Sequence, residues 1–508
     1  MLTMDLLIPL LFALCVVFNL RAVFKLLVDW KGMRATVQFV KAAYARVNAL
    51  PAEDALERDD RPPTFLHLVP AYQEPEITGT LRALLSSRYP HGKLHVVVVT
   101  KEEEERAPHP AMGISTGEVV RRFRAELPPY QQKMVWQIAM PGTGRKAHQL
   151  NWGLRPEFLR EVLGERFDPA RCFIGVSDAD SLPDPNVYCW IAQEELAGRG
   201  APAYQGVTLS LANFERLDLR GRVCAIQQSS IFMRVSIARL LNEVKRVRVL
   251  EALCRRALWA AWLIRPVFEL FFRRSQICLG HNQFVRLDIL EALGGFPTDG
   301  ATEDSTLGYD LGMRGVLIRA LPMLELTDLP ETPEKVIRQN ARWYKGVLDD
   351  APHLWRAWRA RPSAFNFAQV CRHVGNKVLE WPVAVLVYPI LGFLGWQLAY
   401  LYREQPLLFV PALAFPAAAL GLSIWVGGIV TQRAIEDLAL YLPKLVEVRR
   451  RTLSEKFWGI FRCQTYWLLA TRGAWRVLLT LLRTGRYEPA KTDRVIRDPM
   501  RQGSYSRS

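Results

Sequence analysis

The chain has 508 residues, 66 Lys and Arg against 50 Asp and Glu, and a formal net charge of +16. That length allows more than one domain, and a mean hydropathy just above zero points to a mixture of soluble and membrane-associated segments rather than to either alone. Eight scattered Cys with no CxxC pair exclude a zinc ribbon and a disulfide framework. No nucleic-acid-binding motif accompanies the basic excess, and much of it flanks apolar stretches, which turns it towards the cytoplasmic face of a membrane.

Residues 6–20 are nearly all apolar and are followed by Arg21, Lys25, Lys31 and Arg34. A secretory signal carries its charges first. Residues 1–30 therefore read as a transmembrane helix with its N-terminus outside and its basic end in the cytoplasm, or as an interfacial helix, since the run is short. Residues 31–63, ending in the charged, proline-bounded PAEDALERDDRPP, read as a linker.

Residues 64–350 read as an α/β domain. TFLHLVP (64–70) and LHVVVV (94–99) are buried strands on either side of helical spacing at 77–86. A helix near 116–126 and a strand near 134–138 follow. Continuous β-branched runs alternating with helices argue a mostly parallel sheet covered by helices on both faces. Residues 142–147 form a flexible basic loop, and Lys146, at the start of the next helix, is a good phosphate neighbour.

The strand CFIGV (172–176) ends in Ser177-Asp178-Ala179-Asp180. Carboxyl ends of strands in an α/β sheet open into the ligand crevice. Two carboxylates there repel each other unless a cation lies between them. Mg2+ or Mn2+ carrying a diphosphate is the natural filling. The plainer alternative is a surface turn, for which Ser and Asp are also suited.

From 235 to 275 basic residues alternate with Leu, Trp and Phe, consistent with interfacial helices or with a domain helix that has a solvated basic face. Gly280-His281-Asn282-Gln283-Phe284 is a small polar cluster. Ala301-Thr302-Glu303-Asp304-Ser305 opens a helix. Thr302 suits its cap, and Glu303 and Asp304 suit its first turn. The alternative role for Asp304 is that of a general base. In KVIRQNARWYKG (335–346), Gln339, Arg342, Trp343 and Gly346 share one helix face. Arg342 suits a leaving diphosphate, and Trp343 suits stacking on a sugar ring.

Residues 365–432 read as an interfacial helix followed by two spans, 381–401 and 407–430, joined outside by a tip that carries only Arg403. Residues 433–508 read as amphipathic and re-entrant or interfacial helices, with a hairpin over 457–482, and a basic cytoplasmic tail.

These motifs agree in order and spacing with one family. The chain resembles the membrane-bound family 2 glycosyltransferases, the group of cellulose, hyaluronan and chitin synthases. The resemblance is carried by Val69-Pro70-Ala71-Tyr72-Gln73-Glu74, by KAHQLN at 146–151, by Ser177-Asp178-Ala179-Asp180, by Thr302-Glu303-Asp304 and by Gln339-Asn340-Ala341-Arg342-Trp343. It implies a GT-A fold and an inverting transfer. Pro70, Tyr72, Glu74, Lys146, Asp178, Gln339, Arg342 and Trp343 would bind the nucleotide-sugar. Asp178 and Asp180 would hold Mg2+ or Mn2+. Asp304, beside Glu303, would activate the acceptor, and His281, Asn282 and Trp343 would line the acceptor end.

The chain departs from the family at one place. Where an Asp helps to hold the base, this chain reads Val99-Thr100-Lys101-Glu102-Glu103. Glu102 or Glu103 is the expected substitute, and the resemblance implies UDP as the carrier. The favoured reading is a processive polysaccharide synthase of the inner membrane, multi-pass, with a cytoplasmic catalytic domain. The other enzyme reading is transfer of one sugar to a lipid such as a polyprenyl phosphate or a sphingolipid-like acceptor. Three spans make a thin channel, which argues against processivity unless the interfacial helices, or a second copy of the chain as a homodimer, complete it. No nucleic-acid partner is expected.

Overall fold

The computed structural model describes residues 4–59, 61–108, 112–256, 262, 278–360, 377–383, 392–393, 395–397, 399–400, 403–404, 406–442 and 445–488. Eight strands form one sheet: β1 (Thr64–Pro70), β2 (Leu94–Lys101), β3 (Val135–Met140), β4 (Cys172–Val176), β5 (Leu182–Pro183), β6 (Ala203–Leu209), β7 (Gln283–Arg286) and β8 (Ile318–Leu326). Their order is β3-β2-β1-β4-β7-β6-β8-β5. The block from β3 to β4 is parallel, as the continuous apolar runs lead one to expect. β7 runs against both β4 and β6, whereas β6 and β8 are parallel. Its reversed direction pairs Gln283 with Val176 and so brings the 280–282 turn to the carboxyl end of β4.

Both faces of the sheet are covered, and successive residues of β1 divide between them. Phe65 and Val69 join a layer with Ile77, Val120 and Tyr188 from three helices. Leu66 and Leu68 join the opposite layer, which includes Met33, Met233, Ile237 and Ile435.

The second layer corrects the reading of residues 31–63 as a linker. The N-terminal helix is continuous over Met4–Tyr44. Met33, Val37 and Val40, at helical spacing, are buried against the α/β domain. Thr36 donates from its hydroxyl to the Met233 carbonyl at 3.0 Å, and the Tyr44 hydroxyl donates to Asp184. The charged stretch itself holds a short helix, Glu53–Glu57.

Leu219–Ile231 passes through a π-helical turn, Phe232–Ile237, into Ala238–Arg256. Residues 257–261 and 263–277, the far part of the expected interfacial pair, lie outside the described residues. So do most of the 381–401 span, the 365–376 segment and the tail from 489. The 407–430 stretch is helical as Pro406–Ile424 and a second π-helical turn, Trp425–Val430. Among the described residues one helical run, Ala417–Ala439, is long and apolar enough to cross a membrane, and half of its apolar window is buried inside the protein.

The expected hairpin at 457–482 is two helices, Leu453–Phe461 and Thr465–Thr484. The second lies against the Pro333–Ala360 helix. Tyr466 donates to Asn340 at 3.2 Å, and a Cβ added to Gly473 would come within 2.8 Å of Ala341 N and Ile337 O. Its apolar stripe thus packs on the Pro333–Ala360 helix, which accounts for the arginines that interrupt it on the exposed side.

Candidate active site

A large cleft of about 1210 Å³ opens at the carboxyl ends of β1 and β4 and runs on between the helices of the second layer. Pro70, Tyr72 and Glu74 line it from the loop after β1, and Asp178 and Asp180 from the loop after β4. That first loop is held by buried polar contacts. Gln149 donates to the carbonyls of Ala71 (3.0 Å) and Val99 (2.7 Å). Gln73, at φ +56°, donates its backbone N–H to Glu104 at 3.0 Å, and Glu104 also accepts from the Thr116 backbone at 2.7 Å.

Glu104 is therefore the acidic residue of this run that matters for the loop. The expectation for Glu102 is corrected: it begins a short helix, pairs with Arg106 at 2.7 Å and is not among the residues lining the cleft. The cleft wall here is Lys101, whose ammonium sits 4.4 Å from the Tyr72 ring centroid.

Lys146 is the hub. Its ammonium donates to Asp178 (2.6 Å) and to the Gly280 carbonyl (2.7 Å) and lies 3.4 Å from Glu303. Burial alone would lower its pKa, but Asp178, Glu303 and Asp304 outweigh that and raise it. The Asp304 pKa is raised as well, which for a carboxyl favours the uncharged form. Burial and the neighbouring Glu303 raise its carboxyl to about 6, against the pull of Lys146, the Ser305 N–H and His281. A carboxylate titrating there is suited to general-base work near neutral pH.

Thr302 occupies the cap position of the Glu303–Met313 helix, but its side chain makes no capping bond. It sits instead where a Cβ on Gly346 would fall, so Gly346 of the KVIRQNARWYKG helix is needed for close approach. Gly280 is constrained twice: its φ is +76°, and an added Cβ would lie 2.9 Å from Asp304 Oδ2. Gly280→Ala is expected to cut turnover by about 10²-fold through displacement of the carboxylate, measured as nucleoside diphosphate release, with the fold intact by circular dichroism.

His281 reaches the cleft from the reversed β7. Its Nδ1 lies 2.7 Å from Glu325, which is fully buried on β8 and also accepts from Ser177 at 2.7 Å. Burial would lower the imidazole, and Glu325 raises it instead. Glu325 escaped the sequence reading, although a lone carboxylate in the strand IRALPMLEL is itself a signal.

Asn282 is corrected. It is buried at φ +48°, donates to the carbonyls of Val207 (3.2 Å) and Met323 (3.1 Å), and holds the turn rather than lining the acceptor end. Asn151 is likewise structural. It donates to the Phe296 carbonyl (2.8 Å) and accepts from its N–H (2.7 Å). Asn151→Ala is expected to cost about 1–3 kcal/mol by orphaning the Phe296 groups, read as a lower midpoint in urea.

Gln339, Arg342 and Trp343 all line the cleft. Gln339 Oε1 is buried with no hydrogen-bond partner among the described residues. Phe232, the first residue of the π-helical turn, lies between Trp343 and His281, with ring centroids 6.4 Å from both. It has no motif, and nothing in the local pattern distinguishes it from a core aromatic.

Among the described residues no group of three or more His, Cys, Asp or Glu side chains could hold a metal ion. Asp178 and Asp180 are a two-carboxylate set. That fits a hard cation carried largely by phosphate oxygens and water, and does not fit an all-protein cage.

The mixed sheet carries a polar cleft at the carboxyl ends of its parallel strands, lined by carboxylates, a partly buried lysine and an Arg-Trp pair. The model of Glycosyltransferase like family 2 matches residues 62–346, more than half of the chain, and the chain belongs to that family. Among solved structures, the mannosyltransferase PcManGT from Pyrobaculum calidifontis, in complex with GDP-Man and Mn2+, is similar at 18% identity and a TM-score of 0.41, over 89% of this chain and 99% of that one. S. aureus TarS 1-349 is similar at 12% identity and a TM-score of 0.34, over 84% and 92%. Its complex with UDP-GlcNAc gives 13%, 0.31, 84% and 93%. None of the curated proteins compared matches.

Proposed function

We propose that the chain is an inverting glycosyltransferase that moves a sugar from a nucleotide-sugar to a hydroxyl acceptor at the inner membrane. The observation that carries this is the direct link from Asp178 through Lys146 to Glu303, the neighbour of Asp304, in one cleft with Arg342 and Trp343. Asp304 takes the proton of the acceptor hydroxyl as its oxygen attacks the anomeric carbon. The bond from that carbon to the diphosphate breaks, and Lys146 and Arg342 receive the developing charge. No enzyme nucleophile is needed. Mg2+ or Mn2+ bound by Asp178 and Asp180 would neutralise the diphosphate. UDP remains the carrier that the family pattern suggests, with Tyr72 and Lys101 at the base side in place of the expected Glu102.

The favoured outcome is a β-linked polymer. Transfer of one sugar to a membrane lipid is the second reading, and it is favoured by the continuation of the cleft between the N-terminal helix, the π-helical turn and the C-terminal helices. Purified full chain in nanodiscs with Mg2+ or Mn2+, offered a panel of UDP- and GDP-sugars, is expected to release nucleoside diphosphate from one of them. Sizing the product then decides between polymer and glycolipid. Silence on every donor would oppose both.

A further inference from the structure

Beyond Phe232 the cleft leaves the donor groups and enters the helix layer, where its lining changes. Arg21, Lys25, Arg234, Arg239, Arg246 and Lys377 face it there, against Asp29 and Glu380. Arg234 is the buried member: its side chain is 6% exposed. One of its terminal nitrogens stands 3.7 Å from Asp29, which Lys25 shares at 3.5 Å, and its guanidinium lies 5.9 Å from the Trp467 ring. Its Nε has no hydrogen-bond partner among the described residues. A guanidinium carries five donors, and leaving one unmet in a buried place costs more than a typical hydrogen bond gains.

Two neighbours share the condition. Gln227 and Gln228 are buried in the same wall. Their amide nitrogens are used, on the Gly427 carbonyl (2.5 Å) and the Ser210 hydroxyl (2.9 Å), while both Oε1 atoms lack partners among the described residues. Arg234 and Gly427 each belong to a π-helical turn, and such turns recur at functional sites. Built-in, unmet polar groups at a cleft wall are what a ligand would complete.

We infer that Arg234 is the centre of a second binding site, which takes the phosphate headgroup of an amphiphilic acceptor. The guanidinium fork meets phosphate oxygens, Gln227 and Gln228 accept from headgroup hydroxyls, and Lys25 and Arg21, exposed on the N-terminal helix, attract the anion at the mouth. Trp467 and Trp381 supply apolar surface beside it. The inference builds on the proposed transfer only for the acceptor role; the site itself needs no donor and is tested without one.

The test uses the full chain in neutral maltoside micelles, titrated calorimetrically with dihexanoyl phosphatidic acid, with inorganic phosphate and with uncharged dihexanoylglycerol. Saturable binding of the phosphatidic acid is expected, at least about 10-fold tighter than inorganic phosphate, because both headgroup and chains contribute. Arg234→Gln is expected to weaken it by about 10-fold or more and Arg234→Lys by less, since a lysine keeps the charge and loses the fork. If the buried substitution prevents folding, Lys25→Gln, at an exposed position, still reads the site through a two- to threefold loss on the order expected for a rim charge. No saturable binding by the wild type, equal binding of dihexanoylglycerol, or wild-type affinity in both folded variants would overturn the inference. Inorganic phosphate binding as tightly as the lipid would assign the site to a free anion and also contradict it. A separate UDP titration keeps these outcomes apart from the donor site.

Discussion

Asp304→Asn is expected to lower sugar transfer by about 10³-fold, within the range that a positioned general base contributes, while the affinity for nucleoside diphosphate changes little. The amide keeps the size of the carboxylate and can still accept from the Ser305 N–H, which Asp304 engages at 2.8 Å, but it cannot take a proton. Since the carboxyl is raised to about 6, activity should rise through that pH as the base ionises, and the variant's residual activity should lose this limb. Stability should move the other way. A carboxyl whose pKa is higher in the folded than in the unfolded chain stabilises only while protonated. That contribution is lost as pH rises from about 4 to about 6. The variant should therefore melt above the wild type at pH 8 and lose this advantage near pH 4, as scanning calorimetry would show. Equal melting at pH 8 would mean that the carboxylate carries no such cost.

Lys146→Met should have the second-largest effect. It keeps the stem and removes the one cation that touches Asp178, the Gly280 carbonyl and Glu303 together. Donor affinity is expected to fall by about 10-fold to 10²-fold, the scale of one charge-assisted hydrogen bond to a diphosphate. Asp304 should also titrate above about 6, because Lys146 is one of the groups that hold it down. The acid limb of the pH–rate profile would then shift upward in the variant. A lowered affinity with an unmoved limb would place Lys146 on the diphosphate alone and would contradict its coupling to the base.

The residues with the clearest sequence signals are those whose chemistry and spacing coincide. Asp178, Lys146, Asp304, Gln339, Arg342 and Trp343 come from four separate stretches, and all face one cleft. The parallel half of the sheet was legible for the same kind of reason: a strand buried on both faces is mostly apolar, and β1, β2 and β4 are, His67 and His95 being the polar interruptions within the first two. The misses have a common physical cause. Glu102 and Glu104 are equivalent on paper, and only the turn at Gln73, with its positive φ, decides that Glu104 is the buried partner. Asn282 looked like a ligand because it follows His281, but the reversal of β7 turns His281 into the cleft and Asn282 into the sheet. Phe232 and Arg234 face the cleft from a π-helical turn, whose extra residue shifts the helical phase that a periodic reading assumes.

The most direct test of the central claim sets the wild type beside Asp304→Asn in one assay. Purified full chain in nanodiscs is given the donor sugar-nucleotide with its acceptor, nucleoside diphosphate release is followed, and the anomeric configuration of the product is read by proton NMR. The account predicts release by the wild type, inversion at the anomeric carbon, and loss of about 10³-fold in the variant with donor binding retained. Retention of configuration, or a variant that turns over like the wild type, would contradict it.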